Sequence, residues 1–193
     1  MVKLIVIERI DNMLERILPT AKTFIKEVVN AEDILVDATC GNGHDSSFLA
    51  QLVPDGHVYS FDVQADAIQS AQEKYNEPNI SFIHDGHENI AGYISSPVKA
   101  GIFNLGYLPG GDKSITTAYD TTITAISELF NLLTPGGRIV IVVYHGHDSG
   151  KVERDALLET LSAWPQDKAQ VLQYQYINQR NSAPFLLVIE KLK

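Results

Sequence analysis

A single cysteine and a single tryptophan stand in a chain of 193 residues. Cys40 has no second thiol to pair with, which excludes a disulfide scaffold and fits a reducing compartment. Long apolar runs are missing too. The longest, Ile139 to Tyr144 and Phe185 to Ile189, fall far short of the roughly 20 residues that a bilayer crossing needs. Near the start only Leu4 to Ile7 is uninterruptedly apolar before Glu8, too little for a secretory signal, so the expected location is cytoplasmic. No linker, repeat or charged tail breaks the chain, and the expectation is one domain over residues 1–193, with a helical N-terminal extension over 1–30.

Basic residues are also scarce, 15 against 24 acidic, for a net charge of −9. That argues against a surface built wholly for nucleic acid. The deficit is local. Residues 1–26 carry +2, residues 27–93 carry −11 and residues 94–193 balance to zero, so both ends remain able to present basic patches to an RNA.

What the chain does have is an alternation of β-branched runs with helical patterns. Strands are expected at Ile34 to Ala38, His57 to Asp62, Ile80 to His84, Gly101 to Leu105, Arg138 to Tyr144, Val171 to Tyr176 and Phe185 to Glu190. Helices are expected at Ser46 to Val53, Gln64 to Tyr75, Glu88 to Ile94, Thr117 to Leu133 and Lys151 to Trp164, with an amphipathic one over Pro19 to Val29 ahead of the first strand. This rhythm predicts an α/β fold, a Rossmann-like seven-stranded and mostly parallel sheet with helices on both faces. Ile177 to Pro184 is too short and too polar for a crossover helix, so the last strand should run antiparallel.

The chemistry gathers at strand ends. Val36-Asp37-Ala38-Thr39-Cys40-Gly41-Asn42-Gly43-His44-Asp45 runs from a strand through a glycine-bearing loop into a helix, where open α/β sheets bind ligands. It is no dinucleotide fingerprint, because Ser46 stands where the third glycine belongs. Asp37 would repel a pyrophosphate but could accept hydrogen bonds from a cationic amino-acid ligand. Asp62 ends the second strand 21 residues after Gly41, the usual spacing for an acid that grips ribose hydroxyls. His84-Asp85-Gly86-His87 ends the third, where polar groups can meet an adenine edge. Each aspartate alone also reads as an ordinary helix cap; in order, with the glycine loop, they point to one crevice.

Together these residues resemble a class I S-adenosylmethionine (SAM) methyltransferase. The string Asp-Ala-Thr-Cys-Gly-Asn-Gly-His-Asp, the segment Asn104 to Lys113 and Pro135-Gly136-Gly137 resemble more narrowly a small bacterial family first described as rRNA methylases (YtqB-like) and associated with methylating the 5-aminomethyl group of the tRNA wobble uridine (MnmM-type). The resemblance covers roughly Leu18 to Lys193. It implies that Asn42 and Asp45 hold the methionine end of SAM, Asp62 and Gln64 the ribose and its neighbouring edge, and His87 the adenine side, with Asp37, Thr39, Gly41, Gly43 and Asp85 completing the cofactor site. Asn104-Leu105-Gly106-Tyr107 takes the place of the Asn/Asp-Pro-Pro-Tyr segment of amino-group methyltransferases, in which Asn orients the target amine and the aromatic ring stacks on the base. Both prolines are replaced here, by Leu105 and Gly106. The catalytic candidates are Asn104, Tyr107, His145 and Asp112, the last two as alternatives to water for taking up the proton.

No metal is expected, since the His145-Gly146-His147 spacing matches no strong metal signature. Cys40 lies in the cofactor loop and reads as packing rather than as a nucleophile. The polar loop Asn178-Gln179-Arg180-Asn181-Ser182 before the last strand, with Lys113, Lys151 and Arg154, reads either as phosphate contacts on the substrate face or as ordinary solvated charge. The implied partner is the anticodon loop of a tRNA; an rRNA or small-molecule amine substrate, or a non-catalytic SAM- or RNA-binding module, is the alternative. A homodimer would extend the RNA surface.

Overall fold

A computed structural model describes residues 14–106, 118–146 and 148–193. In chain order its elements are α1 (Ile17–Lys26), β1 (Ile34–Asp37), α2 (His44–Leu52), β2 (His57–Asp62), α3 (Ala65–Lys74), β3 (Ile80–His84), a 3-10 turn (His87–Asn89), α4 (Ile90–Tyr93), β4 (Val98–Leu105), α5 (Tyr119–Leu132), β5 (Leu133–Val143), α6 (Asp148–Ser162), β6 (Ala169–Tyr174) and β7 (Phe185–Lys191). The strands form one sheet in the order β3-β2-β1-β4-β5-β7-β6. Neighbours from β3 to β5 are parallel, and β7 runs antiparallel to both β5 and β6, as the short polar connection before it predicts.

Period-two alternation sorts the core into two layers. Ile139, Ile141 and Val143 of β5, with Phe185, Leu187 and Ile189 of β7, pack with α4, α5 and α6. Val140, Val142, Leu186 and Val188 pack on the opposite face with Ile17, Ala21 and Ile25 of α1 and Leu49 and Ala50 of α2. The four-residue spacing of Ile17, Ala21 and Ile25 makes the buried stripe of α1. Pro19 is its third residue, where a missing amide hydrogen costs no helical bond. Arg138 fastens α1 to the sheet: its Nη1 donates to Phe24 O at 3.0 Å and pairs with Glu27 at 2.6 Å, while Nε donates to Glu190 at 2.8 Å. On the other layer Thr122 donates to the buried Glu153 at 2.7 Å, tying α5 to α6.

Several expected bounds shift at the edges. β5 begins at Leu133, not Arg138, because Leu133 already pairs with Val98 before the register jumps to Ala100 opposite Arg138; Pro135 is accommodated at this irregularity, where a strand proline needs no ladder partner. The helix expected at Glu88 to Ile94 is split into the 3-10 turn and the four-residue α4. The first two residues expected of α5 precede its observed start at Tyr119, and Thr117 lies outside the described residues.

Candidate active site

Strand order reverses between β1 and β4, and polar backbone diverging there leaves a crevice at the strands' carboxyl ends. A cavity of about 1330 Å³ occupies it. Its lining includes Thr39, Gly41, Asn42, Asp45, Asp62, Gln64, His87 and Asn104, so eight of the residues singled out from sequence meet around one space.

The glycine loop is shaped by backbone. Gly41 and Gly43 hold φ of 49° and 74°, left-handed values that glycine adopts without a steric cost. A Cβ on Gly43 would lie 2.8 Å from Tyr75 Cδ2 and 2.9 Å from Ala71 Cβ, so the helix start packs directly on α3. Asp62 clamps this loop to the second strand end. Its Oδ2 accepts from Gly41 N at 2.8 Å and its Oδ1 from Gln64 N at 2.9 Å. A carboxylate offers about four acceptor positions, so each oxygen retains capacity for one hydroxyl of a ribose diol.

His87 is buried with Nδ1 3.0 Å from Ala38 O. A carbonyl only accepts, so Nδ1 carries the hydrogen and Nε2 is the acceptor. Burial holds its pKa below the usual imidazole value and keeps the ring neutral at pH 7. A neutral acceptor on the lining suits an exocyclic amine such as that of adenine.

Asp37 lies beneath the lining, fully buried. Its Oδ1 accepts from Thr39 N at 3.1 Å and its Oδ2 from Ser46 Oγ at 2.7 Å, which continues to Ser60 Oγ at 2.7 Å. Burial, then the nearby Asp45 charge, raises its pKa to about 7. Asp37 is thus placed to organise the loop from below. Asp85 likewise lies off the lining: its carboxylate accepts from Gly86 N, Asn89 Nδ2 and Tyr93 Oη at 2.8–2.9 Å, and these bonds, the tyrosine's first, lower its pKa. Cys40 reaches the lining, yet burial, then the Asp37 charge, pushes its thiol up to about 12, which leaves no thiolate for nucleophilic attack.

On the β4 side, Asn104 N donates to Thr39 Oγ1 at 2.7 Å and Asn104 Nδ2 to Asp45 Oδ2 at 2.6 Å. Asp45 also pairs with Lys22 of α1 at 3.1 Å. His145 follows β5 outside the cavity lining, its ring 5.5 Å from that of Phe185 and its buried Nδ1 without a hydrogen-bond partner. Tyr107, Asp112 and Lys113 lie outside the described residues. Arg154 is paired with Asp155 at 2.7 Å, and Arg180 is exposed on the loop whose Asn181 and Ser182, both at positive φ, line the cavity.

Sequence reading missed Lys22 and Tyr144, whereas Asn181 and Ser182 belong to the polar loop it singled out before the last strand. His44 stood within the glycine string and binds Tyr75 Oη at 2.7 Å. Lys22 had no local signal, being one basic residue on an amphipathic helix. Tyr144 ends a hydrophobic run; in place, burial, then the Asp45 charge, raises its pKa. Among the described residues no group of His, Cys, Asp and Glu is arranged to hold a metal ion.

A mostly parallel seven-stranded sheet with an antiparallel β7, and a switch-point cavity lined by a glycine loop, the Asp62 carboxylate and a neutral His87, define a class I SAM-dependent methyltransferase. The chain belongs to the family described as "Putative rRNA methylase", whose profile matches residues 58–190. A Clostridium thermocellum protein of that description has 44% identity and a TM-score of 0.91 over 93% of this chain and all of its own. A Streptococcus mutans protein described as "a putative methyltransferase" and solved with S-adenosylhomocysteine (SAH) has 42% identity and a TM-score of 0.87, again over 93% of this chain and all of its own. An Arabidopsis thaliana protein named "tRNA (mnm(5)s(2)U34)-methyltransferase, chloroplastic" is 33% identical over 86% of this chain, which spans 66% of that relative's length.

Proposed function

We propose that this chain methylates the amine of a 5-aminomethyl group on uridine, 2-thiolated or not, at the wobble position of a tRNA. The observation that carries the reading is Asn104 at the cavity wall with its amide nitrogen tied to Asp45. A carboxylate accepts and does not donate, so the nitrogen end faces Asp45 and the carbonyl oxygen is left for a donor in the cavity. The Arabidopsis relative's printed name supports that substrate.

SAM supplies, when bound, a methyl group already activated on a sulfonium. Asn104 Oδ1 accepts a hydrogen bond from the amine and turns its lone pair toward the methyl; the gain comes from alignment and exclusion of water. Asp62 and Gln64 would hold the ribose edge, His87 the adenine side, and Asn42 and Asp45 the methionine end. Tyr107 stacks on the base. The amine's proton leaves to water, His145 or Asp112, which single substitutions separate. The chain is acidic overall, with a net charge of −9, so local basic side chains such as Arg180 meet the tRNA phosphates and affinity falls steeply with salt. The proposal includes a cytoplasmic enzyme and a homodimer that extends the RNA surface. Among the described residues no helix is long and apolar enough to cross a membrane.

The test is incubation with methyl-labelled SAM and tRNA carrying the aminomethyl uridine, followed by nucleoside mass analysis. Label in that nucleoside is expected. Label confined to rRNA, which the family's description favours, would overturn the substrate while leaving methyl transfer; SAH binding without transfer to any amine would reduce the chain to a binding module.

A further inference from the structure

We propose that Lys22 is a positioning residue for methyl transfer: acting through Asp45, it sets the orientation of the Asn104 side-chain amide. The inference rests on the methyltransferase reading with Asn104 as the group that orients the accepting amine. Lys22 lies on α1, ahead of the residues that the family profile matches.

An asparagine amide can be turned by 180° with almost no change in shape, so only its hydrogen-bond partners decide which end faces a substrate. Asn104 has its backbone fixed, because its N donates to Thr39 Oγ1 at 2.7 Å. Its side chain is governed by Asp45, and both Asp45 oxygens are assigned: Oδ2 accepts from Asn104 Nδ2 at 2.6 Å and Oδ1 takes Lys22 Nζ at 3.1 Å. Lys22 is itself held. Its Nζ lies 4.6 Å from the centre of the Phe48 ring, and Arg138 pins the end of α1 to β5 and β7. All three side chains of the relay line the cavity.

Removing Lys22 frees Oδ1 and lets the Asp45 carboxylate turn away from Asn104, and the Asn104 amide, no longer facing a carboxylate oxygen, is free to reverse. A reversed amide presents its NH2 to an amine that must itself donate, two donors face to face, and the productive pose is lost. The Lys22 side chain is about one third exposed, so the pair contributes little to stability, and its placement is better explained by what it orients.

Lys22→Met, Lys22→Gln and Lys22→Arg variants test this against wild type. Lys22→Met should lower kcat about tenfold with SAH affinity by calorimetry, and the acceptor's KM, within about twofold; misalignment of a reacting group costs rate at this scale. Lys22→Arg should restore most of the rate, Lys22→Gln little of it. A second readout needs no substrate: in 15N-labelled protein, one Asn104 side-chain amide proton should resonate downfield in the wild type and in Lys22→Arg, and lose that shift in Lys22→Met. Wild-type activity in Lys22→Met, or an Asn104 resonance untouched by the substitution, overturns the proposal. So does a loss of SAH affinity above about tenfold at unchanged kcat, which would assign Lys22 to the cofactor's carboxylate. A wild type that binds SAH but methylates no amine fails the functional reading instead, and the resonance still decides the relay.

Discussion

The two sides of the cavity are built differently. On the β1–β3 side, each polar group has at least one tie to backbone: Asp62 to Gly41 N and Gln64 N, His87 to Ala38 O, Asp37 to Thr39 N and Asp85 to Gly86 N. On the β4–β5 side they are tied to one another across long separations, as in Lys22 to Asp45 to Asn104, or held on a loop with Asn181 and Ser182 at positive φ. Backbone anchoring fixes a shape for one constant ligand. Side-chain relays can be retuned residue by residue, as a site for a variable acceptor requires.

The sharpest way to break this contrast is Asn104→Ala. It should lower kcat about 100-fold with SAH affinity within about twofold; a comparable loss of SAH affinity would show that the two sides are not separable. Asp62→Ala should do the reverse, weakening SAH about 30-fold, or ~2 kcal/mol, since it removes the proposed ribose acceptor and releases Gly41 N together. Calorimetry of both variants decides the matter.

Asp37 sharpens the comparison through pH. Its folded pKa, about 7, lies above the ordinary 3.8. The folded state therefore keeps a proton that the unfolded state has released, and stability falls as pH rises from about 4 to about 7, then levels off. Asp37→Asn should flatten that decline, a difference on the order of 2 kcal/mol, in urea unfolding at pH 5 and pH 7.5. An unchanged slope would mean that Asp37 stays ionised beneath the loop. The smallest effect belongs to Gly43→Ala, where a positive φ and a Cβ against Tyr75 and Ala71 should cost about 1–2 kcal/mol. Thermal unfolding measures it, and a neutral result would show that the loop yields more readily than its packing suggests.

The cofactor side was legible because its residues are close in sequence. Asp37 to Asp45 is one string and Asp62 follows at a spacing set by a single helix and strand. Even there, the separation of lining from support was hidden: Asp37 and Asp85 carry the same side chain as Asp62, yet one sits below the cavity and the other turns to Asn89 and Tyr93. Asn104 was legible from its place after a strand. Lys22 and Tyr144 were not, because nothing in their neighbours' types distinguishes a lysine on an amphipathic helix or a tyrosine after a core strand from a solvated or packed one.

From its residues alone this chain determined the alternation of strands and helices, the antiparallel last strand, the glycine loop and the acid that ends β2, since each follows from spacing along a few turns of backbone. The tertiary structure alone decided which carboxylates reach the cavity and which cation meets Asp45. Those pairings join residues up to 59 positions apart, and only the packing of α1 and β4 around the sheet brings them within hydrogen-bond reach.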